Sequence, residues 1–369
     1  MNMARSWYRG KWRDAGLVTG LFPPQDQAWG MDSQVNLTPK ALKRVCREGA
    51  EKTFDVAARS INEDWGTHYD GKQVQRWAEH VGEEIAAKLE AERKAYQRGR
   101  RPKSTSQEAV ELLVIGMDGG RVQGRRKNPE TNSRWMENKV GTISRYKKGN
   151  GADQEPERLD TTYVATMGNS HKFGELVRVE TERRGIRRAV ELVVIGDGAV
   201  WIDTEAERHY GSYERIVDYY HANERLHECA KAVRPEAPQR LAKRLEDSLY
   251  HGRQDRLQRW MELQVQRVGP VKTSDPENHP RRVLAENLQY FKNHQKKMDY
   301  PRYRSRGWPI GSGVTESGIK LFNKRVKGTE QFWNRRGAEA MLTLRALRLS
   351  QDGRWDDYML RRCAPRRAA

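Results

Sequence analysis

Two short apolar runs in an otherwise very polar chain set the strongest limit on how it can fold. Residues 111–117 (Glu-Leu-Leu-Val-Ile-Gly-Met) and 190–196 (Val-Glu-Leu-Val-Val-Ile-Gly) have the length and the branched side chains of buried β-strands. Asp118 follows the first run and Asp197 follows the second. If the two runs are neighbouring strands, both aspartates lie at one edge of the same sheet.

A third carboxylate, Glu316, opens a helical stretch directly behind the turn Pro309-Ile-Gly-Ser-Gly-Val. It would join Asp118 and Asp197 if that helix packs across the strands. Carboxylate oxygens are ligands for Mg²⁺ (or Mn²⁺), and two such ions can catalyse phosphodiester cleavage. We expect Asp118 to bridge two ions, and Asp197 and Glu316 to bind one each.

Each of these residues also has a simpler interpretation. Asp118-Gly119 and Asp197-Gly198 are common turn dipeptides after strands. An acidic residue such as Glu316 in a first helical turn interacts favourably with the helix dipole.

The charge of the chain indicates what it binds. Its 369 residues include 69 Lys and Arg against 50 Asp and Glu, a net charge of +19, and the mean hydropathy is −0.98. Such a field attracts DNA or RNA, and binding is driven by counterion release. The sequence has no apolar run of about 18 residues and no signal-peptide core, so we expect a cytoplasmic protein without a membrane partner. Its three cysteines are too far apart for a zinc knuckle or a disulfide framework.

The N-terminal region predicts a DNA-binding element. Residues 1–35 form an irregular arm in this interpretation, and residues 36–90 form a helix-turn-helix-like all-α region that begins with Thr38 as N-cap. A turn at 66–71 separates its two best helical patterns. Base edges would be contacted from the start of the second helix by Lys72, Gln73, Gln75 and Arg76. An ordinary helical hairpin is the alternative.

Residues 91–108 read as a basic linker. Its string Arg98-Gly-Arg-Arg-Pro-Lys103 could place Arg98, Arg100 and Arg101 in a narrow minor groove of DNA. A solvated linker is the alternative.

The rest of the chain predicts an α/β core interrupted by helices. Residues 109–222 carry a strand-then-helix pattern typical of one mixed sheet. The predicted strands are 111–117, 122–126, 140–146, 161–167, 189–196 and 216–220, and the predicted helices are 171–184 and 204–210. Residues 223–305 form a helical insertion, residues 306–351 return to the core with the helix of Glu316, and residues 352–369 form a basic tail.

Further polar residues flank the three carboxylates. In Asp218-Tyr-Tyr-His221, which ends the last predicted strand, His221 could contact the scissile phosphate or the leaving group, oriented by Asp218.

Lys320 shares a helix face with Glu316 and could bind phosphate or simply pair with Glu316. The basic surface would continue through Lys324 and Arg325, with Trp333 stacking on a base. A solvated helix face with Trp333 in the core is the alternative.

Taken together, four motifs resemble the bacterial insertion-sequence transposases of the Kra group, which are similar to the eukaryotic Mutator class. The resemblance runs from about Leu37 to Trp355, and the segment around Glu316 is its most specific part. The motifs are Asp118-Gly-Gly, Ile195-Gly-Asp-Gly-Ala, Asp218-x-x-His221 and Tyr300-Pro-x-x-Arg-x-x-Gly-x-Pro-Ile-Gly-Ser-Gly-x-x-Glu316-Ser.

The resemblance implies a ribonuclease-H-like core that is interrupted by the helical insertion 223–305. It also implies a metal-binding Asp-Asp-Glu triad at Asp118, Asp197 and Glu316, and an Asp-x-x-His element at Asp218 and His221. Members of that group often begin with a cysteine-paired zinc element, and this sequence has none.

The function that these observations predict is a DNA transposase of the bacterial cytoplasm, associated with the nucleoid. It would bind the terminal inverted repeats of its element, cleave a strand at each end, and join the freed 3′-hydroxyls to target DNA. Holding two ends predicts a homodimer or a higher oligomer on DNA. Two alternatives stay open. One is a catalytically inactive DNA-binding descendant. The other is a different ribonuclease-H-like nuclease, although the long insertion argues against the small nucleases of that kind.

Overall fold

A five-stranded mixed sheet forms the centre of the molecule. The computed structural model describes residues 37–104, 109–151, 154–328 and 331–363. The strand order is β3-β2-β1-β4-β5, with β1, β4 and β5 parallel and β2 antiparallel to both of its neighbours. The strands are β1 (Val110–Gln123), β2 (Trp135–Lys147), β3 (Glu157–Thr166), β4 (Ala189–Gly196) and β5 (Glu214–Val217). The predicted α/β class with a mixed sheet is confirmed.

Strand β1 is longer than predicted. It continues past Asp118 to Gln123 because β2 pairs along its whole length, with Val140 opposite Asp118. The separate strand predicted at 122–126 is therefore wrong. The parallel pairing of β1 with β4 ends earlier, at Gly116 opposite Ile195. Asp118 thus lies inside β1 but beyond the last residue that pairs with β4.

Three helices precede the sheet: α1 (Pro39–Glu51), α2 (Phe54–Trp65) and α3 (Gly71–Gln97). Thr38 is the N-cap of α1, as predicted, and its side chain accepts a hydrogen bond from the Ala41 N–H. The predicted linker 91–108 begins inside α3, so that boundary is wrong. The helix continues because Arg93 pairs with Glu90 one turn earlier and with Glu175 outside the helix. The predicted arm 1–35 and residues 105–108 lie outside the described residues.

Two helices cover one face of the sheet. They are α4 (Ser170–Arg183) and α5 (Val200–His209), which follow β3 and β4. A buried cluster joins them to β1 and β4, and Ile115, Phe173, Val194 and Ile202 lie within it. The parallel pairing of β1 with β4 places Asp118 and Asp197 at the same distance beyond its last residue pair.

The predicted helical insertion is present, but it begins earlier than expected. It consists of α6 (Tyr219–Val233), α7 (Pro238–Tyr250), α8 (Gln254–Val268), α9 (Pro280–His294) and α10 (Tyr300–Ser305). The strand predicted at 216–220 ends at Val217, because the Asp218 carboxylate accepts the backbone N–H of Tyr220 and starts α6. The insertion is packed against the sheet, since one buried cluster contains Leu226 and Phe291 together with Val193 of β4.

Three further helices complete the described chain: α11 (Gly313–Val326), α12 (Arg335–Leu349) and α13 (Arg354–Cys363). One buried cluster joins α11 and α12 to the N-terminal helices, and it contains Leu42, Val81, Phe322 and Leu342. The predicted tail 352–369 is therefore helical as far as Cys363, and its last six residues lie outside the described residues. No helix in the described ranges is long and apolar enough to cross a membrane.

Candidate active site

Asp118 and Asp197 each lie two residues beyond the last pair of the parallel strands β1 and β4, Gly116 and Ile195. Each carboxylate accepts a hydrogen bond from the backbone that follows it. The Gly119 N–H donates to Asp118 at 2.5 Å, and the Ala199 N–H donates to Asp197 at 2.8 Å. Asp197 lies in the turn after β4, as its position after an apolar run predicts, whereas Asp118-Gly119 is not a turn because β1 continues to Gln123.

Helix α11 crosses the strands at very close range and brings Glu316 towards the two aspartates. A Cβ atom on Gly116 would lie 1.7 Å from the Thr315 hydroxyl oxygen, so only a glycine fits beneath the helix. The Thr315 hydroxyl is also 2.8 Å from that of Thr142 on β2. Glu316, the next residue along α11, is therefore positioned by a buried contact between helix and sheet.

The electrostatics of Asp118 indicate that the acidic side chains share one region. The pKa of Asp118 is raised to about 6, mainly by burial and also by the negative charges of Asp197, Asp218 and Glu316, against the hydrogen bond from Gly119. Three other carboxylates that are far apart in sequence thus act on Asp118.

Asp218 has a structural role that differs from the predicted one. It is only 5% exposed. Its Oδ1 caps α6 by accepting from the Tyr220 N–H at 2.7 Å, and its Oδ2 accepts from the Ser312 N–H at 2.9 Å and from the Ser312 hydroxyl. Asp218 therefore ties the start of α6 to the turn that precedes α11.

His221 lies in the first turn of α6, not at the end of a strand. Its backbone N–H is 3.4 Å from Asp218 Oδ1, whereas its ring Nδ1 is 3.5 Å from the Glu224 carboxylate. The expectation that Asp218 orients the imidazole is therefore wrong for this arrangement, because the Asp218 carboxylate is already occupied by backbone donors and Ser312. The predicted contact of His221 with phosphate stays a prediction.

Glu316 is half exposed and forms the ion pair with Lys320 that the i,i+4 spacing predicts. In the part of the chain that the structure describes, no three His, Cys, Asp or Glu side chains form a ready-made metal cluster. The donors are nevertheless all oxygen atoms, the ligand type that Mg²⁺ prefers, and the mutual repulsion at Asp118 is what a bound cation would relieve.

The helical insertion also contributes to the site, which the sequence did not predict. The Tyr290 hydroxyl of α9 donates to the Asp197 carbonyl at 2.9 Å. A Cβ on Gly198, whose φ is +95°, would meet the rings of Tyr290 and His294 at 3.1 Å. Arg225 of α6 lies over the Tyr290 ring, 4.0 Å from its centroid. Nothing in the local sequence marks Tyr290, because it contacts a residue 93 positions away.

The predicted DNA-contacting residues fall into two groups. Several are on the surface: Lys72, Arg76, Arg98, Arg100, Arg101, Lys320 and Lys324. Two glutamines there already have intramolecular partners. Gln73 forms a capping box with Asp70 at the start of α3, and Gln75 donates to Glu79.

Arg325 and Trp333 are buried, so their predicted roles in DNA binding are wrong. Arg325 is 1% exposed and donates to the Gly49 carbonyl at 2.7 Å, and its guanidinium lies over the Phe54 ring. The Trp333 ring donates to the Val326 carbonyl at 2.9 Å. Both side chains satisfy backbone groups inside the cluster that joins α11 to the N-terminal helices. The alternative with Trp333 in the core is confirmed.

Comparisons with known proteins leave the family open. No family model matches the chain. A curated relative, the "UPF0236 protein in vanSb 3′ region" of Streptococcus gallolyticus, is 21% identical over 333 residues and covers 88% of this chain. The chain spans 66% of the length of that relative. A solved structure, "Drosophila P element transposase strand transfer complex", matches with a TM-score of 0.35 and 8% identity, over 84% of this chain and 92% of that one. A likeness this distant carries no argument about function.

Proposed function

We propose that this chain is a DNA transposase that cleaves DNA strands at the ends of an insertion sequence and joins them to target DNA. The observation that carries the proposal is that β1, β4 and α11 bring Asp118, Asp197 and Glu316 together, so that the charges of Asp197 and Glu316 act on the buried carboxyl of Asp118. A strongly basic chain with such a site is suited to phosphodiester chemistry, because its net charge of +19 attracts DNA phosphates.

We propose a ribonuclease-H-like core for this site. Support comes from the strand order β3-β2-β1-β4-β5 with only β2 antiparallel, and from α11 crossing β1 and β2 with Glu316. The five helices α6 to α10 stand between the last strand and α11, as the resemblance to the Kra group implies.

Asp118, Asp197 and Glu316 would hold two Mg²⁺ (or Mn²⁺) ions. When bound, these ions activate the attacking oxygen and stabilise the leaving oxygen of a phosphodiester. Asp118 sits between its two partners in this arrangement, since β1 lies beside β4 on one side and below α11 on the other. To bind an ion, Glu316 would exchange its exposed ion pair with Lys320 for the metal.

The neighbouring residues would position the site and the DNA. Asp218 fixes the turn before α11 through Ser312, and Tyr290 fixes the loop after Asp197. Lys320 and Lys324, one turn apart on the exposed side of α11, would bind phosphates of the cleaved strand. Lys72 and Arg76 of α3, and the arginines Arg98, Arg100 and Arg101, would bind the element ends, in a homodimer or higher oligomer that holds two ends.

The test is DNA cleavage by single amide variants. We expect Asp118→Asn, Asp197→Asn and Glu316→Gln each to cleave a plasmid carrying the gene and its flanking DNA at below about 1% of the wild-type rate, the scale of loss when an essential electrostatic group is removed. DNA binding, measured by fluorescence anisotropy, should stay within twofold. EDTA should abolish wild-type cleavage.

Glu277→Gln is the matched control, since Glu277 is an exposed carboxylate in the loop before α9, and it should cleave at the wild-type rate. Retained cleavage in any of the three site variants would refute the assignment. Binding without cleavage by the wild type would favour the inactive descendant. Cleavage of branched DNA or RNA–DNA hybrids without preference for the flanking DNA would favour another nuclease.

A further inference from the structure

A cleft of about 510 Å³ opens beside the candidate active site, between the insertion and the start of α11. The turn before α11 forms one wall through Pro309, Ile310 and Gly311. Its other lining residues include five aromatic side chains, Tyr146, Tyr219, Tyr220, Tyr250 and Trp308. They also include the charged residues Arg158, Arg304 and Glu155. An aromatic, basic cleft of this kind is not required to position the carboxylates.

Tyr220 is the exposed aromatic ring of this cleft. Its side chain is 58% exposed, whereas its neighbour Tyr219 is 6% exposed and packs edge-on against it. The ring of Tyr220 lies against the turn, where a Cβ on Gly311 would be 2.5 Å from its edge. An exposed aromatic ring contributes little to the stability of the fold. Because the ring lies against Gly311, however, it provides a flat surface in a defined position.

The rest of the cleft is held rigid and carries positive charge. The guanidinium of Arg304 stacks over the Tyr250 ring, 3.7 Å from its centroid, and donates to the Tyr250 carbonyl. Arg158 on β3 is exposed at the same cleft. The cleft therefore offers an aromatic face for a base beside arginines that suit a phosphate.

The cleft adjoins the segment that carries Glu316. Tyr220 is two residues from Asp218, whose Oδ2 accepts the Ser312 N–H in the turn before α11 at 2.9 Å. The turn that Tyr220 covers leads directly into α11 and Glu316. The cleft includes Gly313 and Val314 at the start of the helix that carries Glu316, so one DNA strand can contact both the cleft and the carboxylates.

We infer that this cleft binds one unpaired nucleotide of the DNA strand, with its base stacked on Tyr220 and its phosphate near Arg158 and Arg304. This inference rests on the proposed function only in identifying the bound strand as DNA that the protein cleaves. The chemistry is stacking of a base on an exposed ring, which accepts any base because every base has a π-face. A fully paired duplex has no free base to offer, so the cleft distinguishes unpaired from paired DNA.

The experiment compares single-stranded and duplex DNA without metal. Fluorescein-labelled (dT)₁₂ and a blunt, two-stranded DNA duplex of twelve base pairs are titrated with protein in EDTA, and binding is followed by anisotropy. We expect Tyr220→Ala and Tyr220→Leu to weaken (dT)₁₂ binding by about 5-fold to 150-fold, the range that stacking of one base implies. Binding of the duplex should change by less than twofold.

Tyr220→Phe is the matched control, because it keeps the aromatic ring and should bind (dT)₁₂ within twofold of the wild type. Tyr220→Leu separates stacking from general apolar contact. Thermal unfolding of each variant confirms that the fold is kept, as expected for an exposed side chain. The inference is overturned if Tyr220→Leu binds (dT)₁₂ like the wild type, or if both DNAs lose affinity equally. Because metal is absent, this result is independent of the cleavage test, and either can fail alone.

Discussion

At the scale of single residues, Asp218 explains how the site is assembled from distant segments. One carboxylate accepts hydrogen bonds from the first turn of α6 and from Ser312, 94 residues later. A buried carboxylate is stable there because its oxygens are satisfied by backbone and hydroxyl donors. Asp218 therefore acts as the joint between the insertion and the helix that carries Glu316.

Replacement of Asp218 by Asn should loosen this joint. The amide nitrogen would face the Ser312 N–H, so a buried donor would lose its acceptor at a cost of about 1–3 kcal/mol in the free energy of unfolding. Ser312→Ala removes only the hydroxyl and should cost less. Urea unfolding of both single variants and of the double variant measures their coupling, and strictly additive losses would contradict a direct interaction.

The sequence was informative about these residues to different degrees. Asp118, Asp197 and Glu316 could be identified because each adjoins a strong local pattern, namely an apolar run or a glycine turn. Tyr290 could not, since its contact with the Asp197 carbonyl depends on the packing of the insertion. Arg325 was misassigned because charge alone does not reveal that its guanidinium binds the Gly49 carbonyl in the core.

At the scale of elements, the position of α11 is set by one glycine on β1 and one on the helix itself. Thr315 rests on Gly116, and Gly318 faces Tyr163, where a Cβ would be 2.9 Å from the ring. Close approach of helix and sheet is possible only where side chains are absent. Gly116 is thus part of the site, since it sets how near Glu316 comes to the sheet.

Gly116→Ala should therefore push α11 away from β1. The new Cβ would lie 1.7 Å from the Thr315 hydroxyl oxygen and 2.6 Å from that of Thr142, and such overpacking costs about 1–3 kcal/mol. We expect lower stability in urea and slower Mg²⁺-dependent cleavage. Gly119→Ala on the same strand is the control, because its Cβ would meet only the Glu137 carboxylate at 3.9 Å. Equal tolerance of both changes would argue against this account of α11.

At the scale of the whole molecule, the C-terminal segment ties the N-terminal helices to the sheet. Lys43 of α1 pairs with Asp356 of α13, and Arg362 of α13 pairs with Glu84 of α3. The sequence predicted a basic tail there because arginines dominate its composition. Their ion pairs with acidic residues elsewhere in the chain are tertiary, so composition could not reveal them, whereas the sheet and the insertion followed from local patterns.

Glu180 of α4 is a buried carboxylate that binds the C-terminal segment, and its charge makes this attachment dependent on pH. It is 2% exposed, and its carboxylate accepts from the Thr162 hydroxyl and from both terminal nitrogens of Arg354 at 2.6 and 2.8 Å. Burial alone would raise the pKa of Glu180, but the charges of Arg354 and Arg183 outweigh it and lower the pKa to about 2. Because the folded-state pKa lies below the unfolded value of about 4.5, this contribution to stability is complete above pH 4.5 and is lost as the pH falls towards 2.

Glu180→Gln should thus destabilise the protein by about 1–3 kcal/mol at pH 7, since it removes one of the two carboxylates that pair with Arg354, the other being Asp352. The difference from the wild type should shrink at pH 3, where protonation of Glu180 becomes favourable in the unfolded chain. Urea unfolding at both values measures it, with Glu277→Gln as the exposed control whose effect should stay within a few tenths of a kcal/mol. A difference that is the same at pH 7 and pH 3 would mean that the charge of Glu180 does not hold the C-terminal segment in place, and that packing of α13 does so instead.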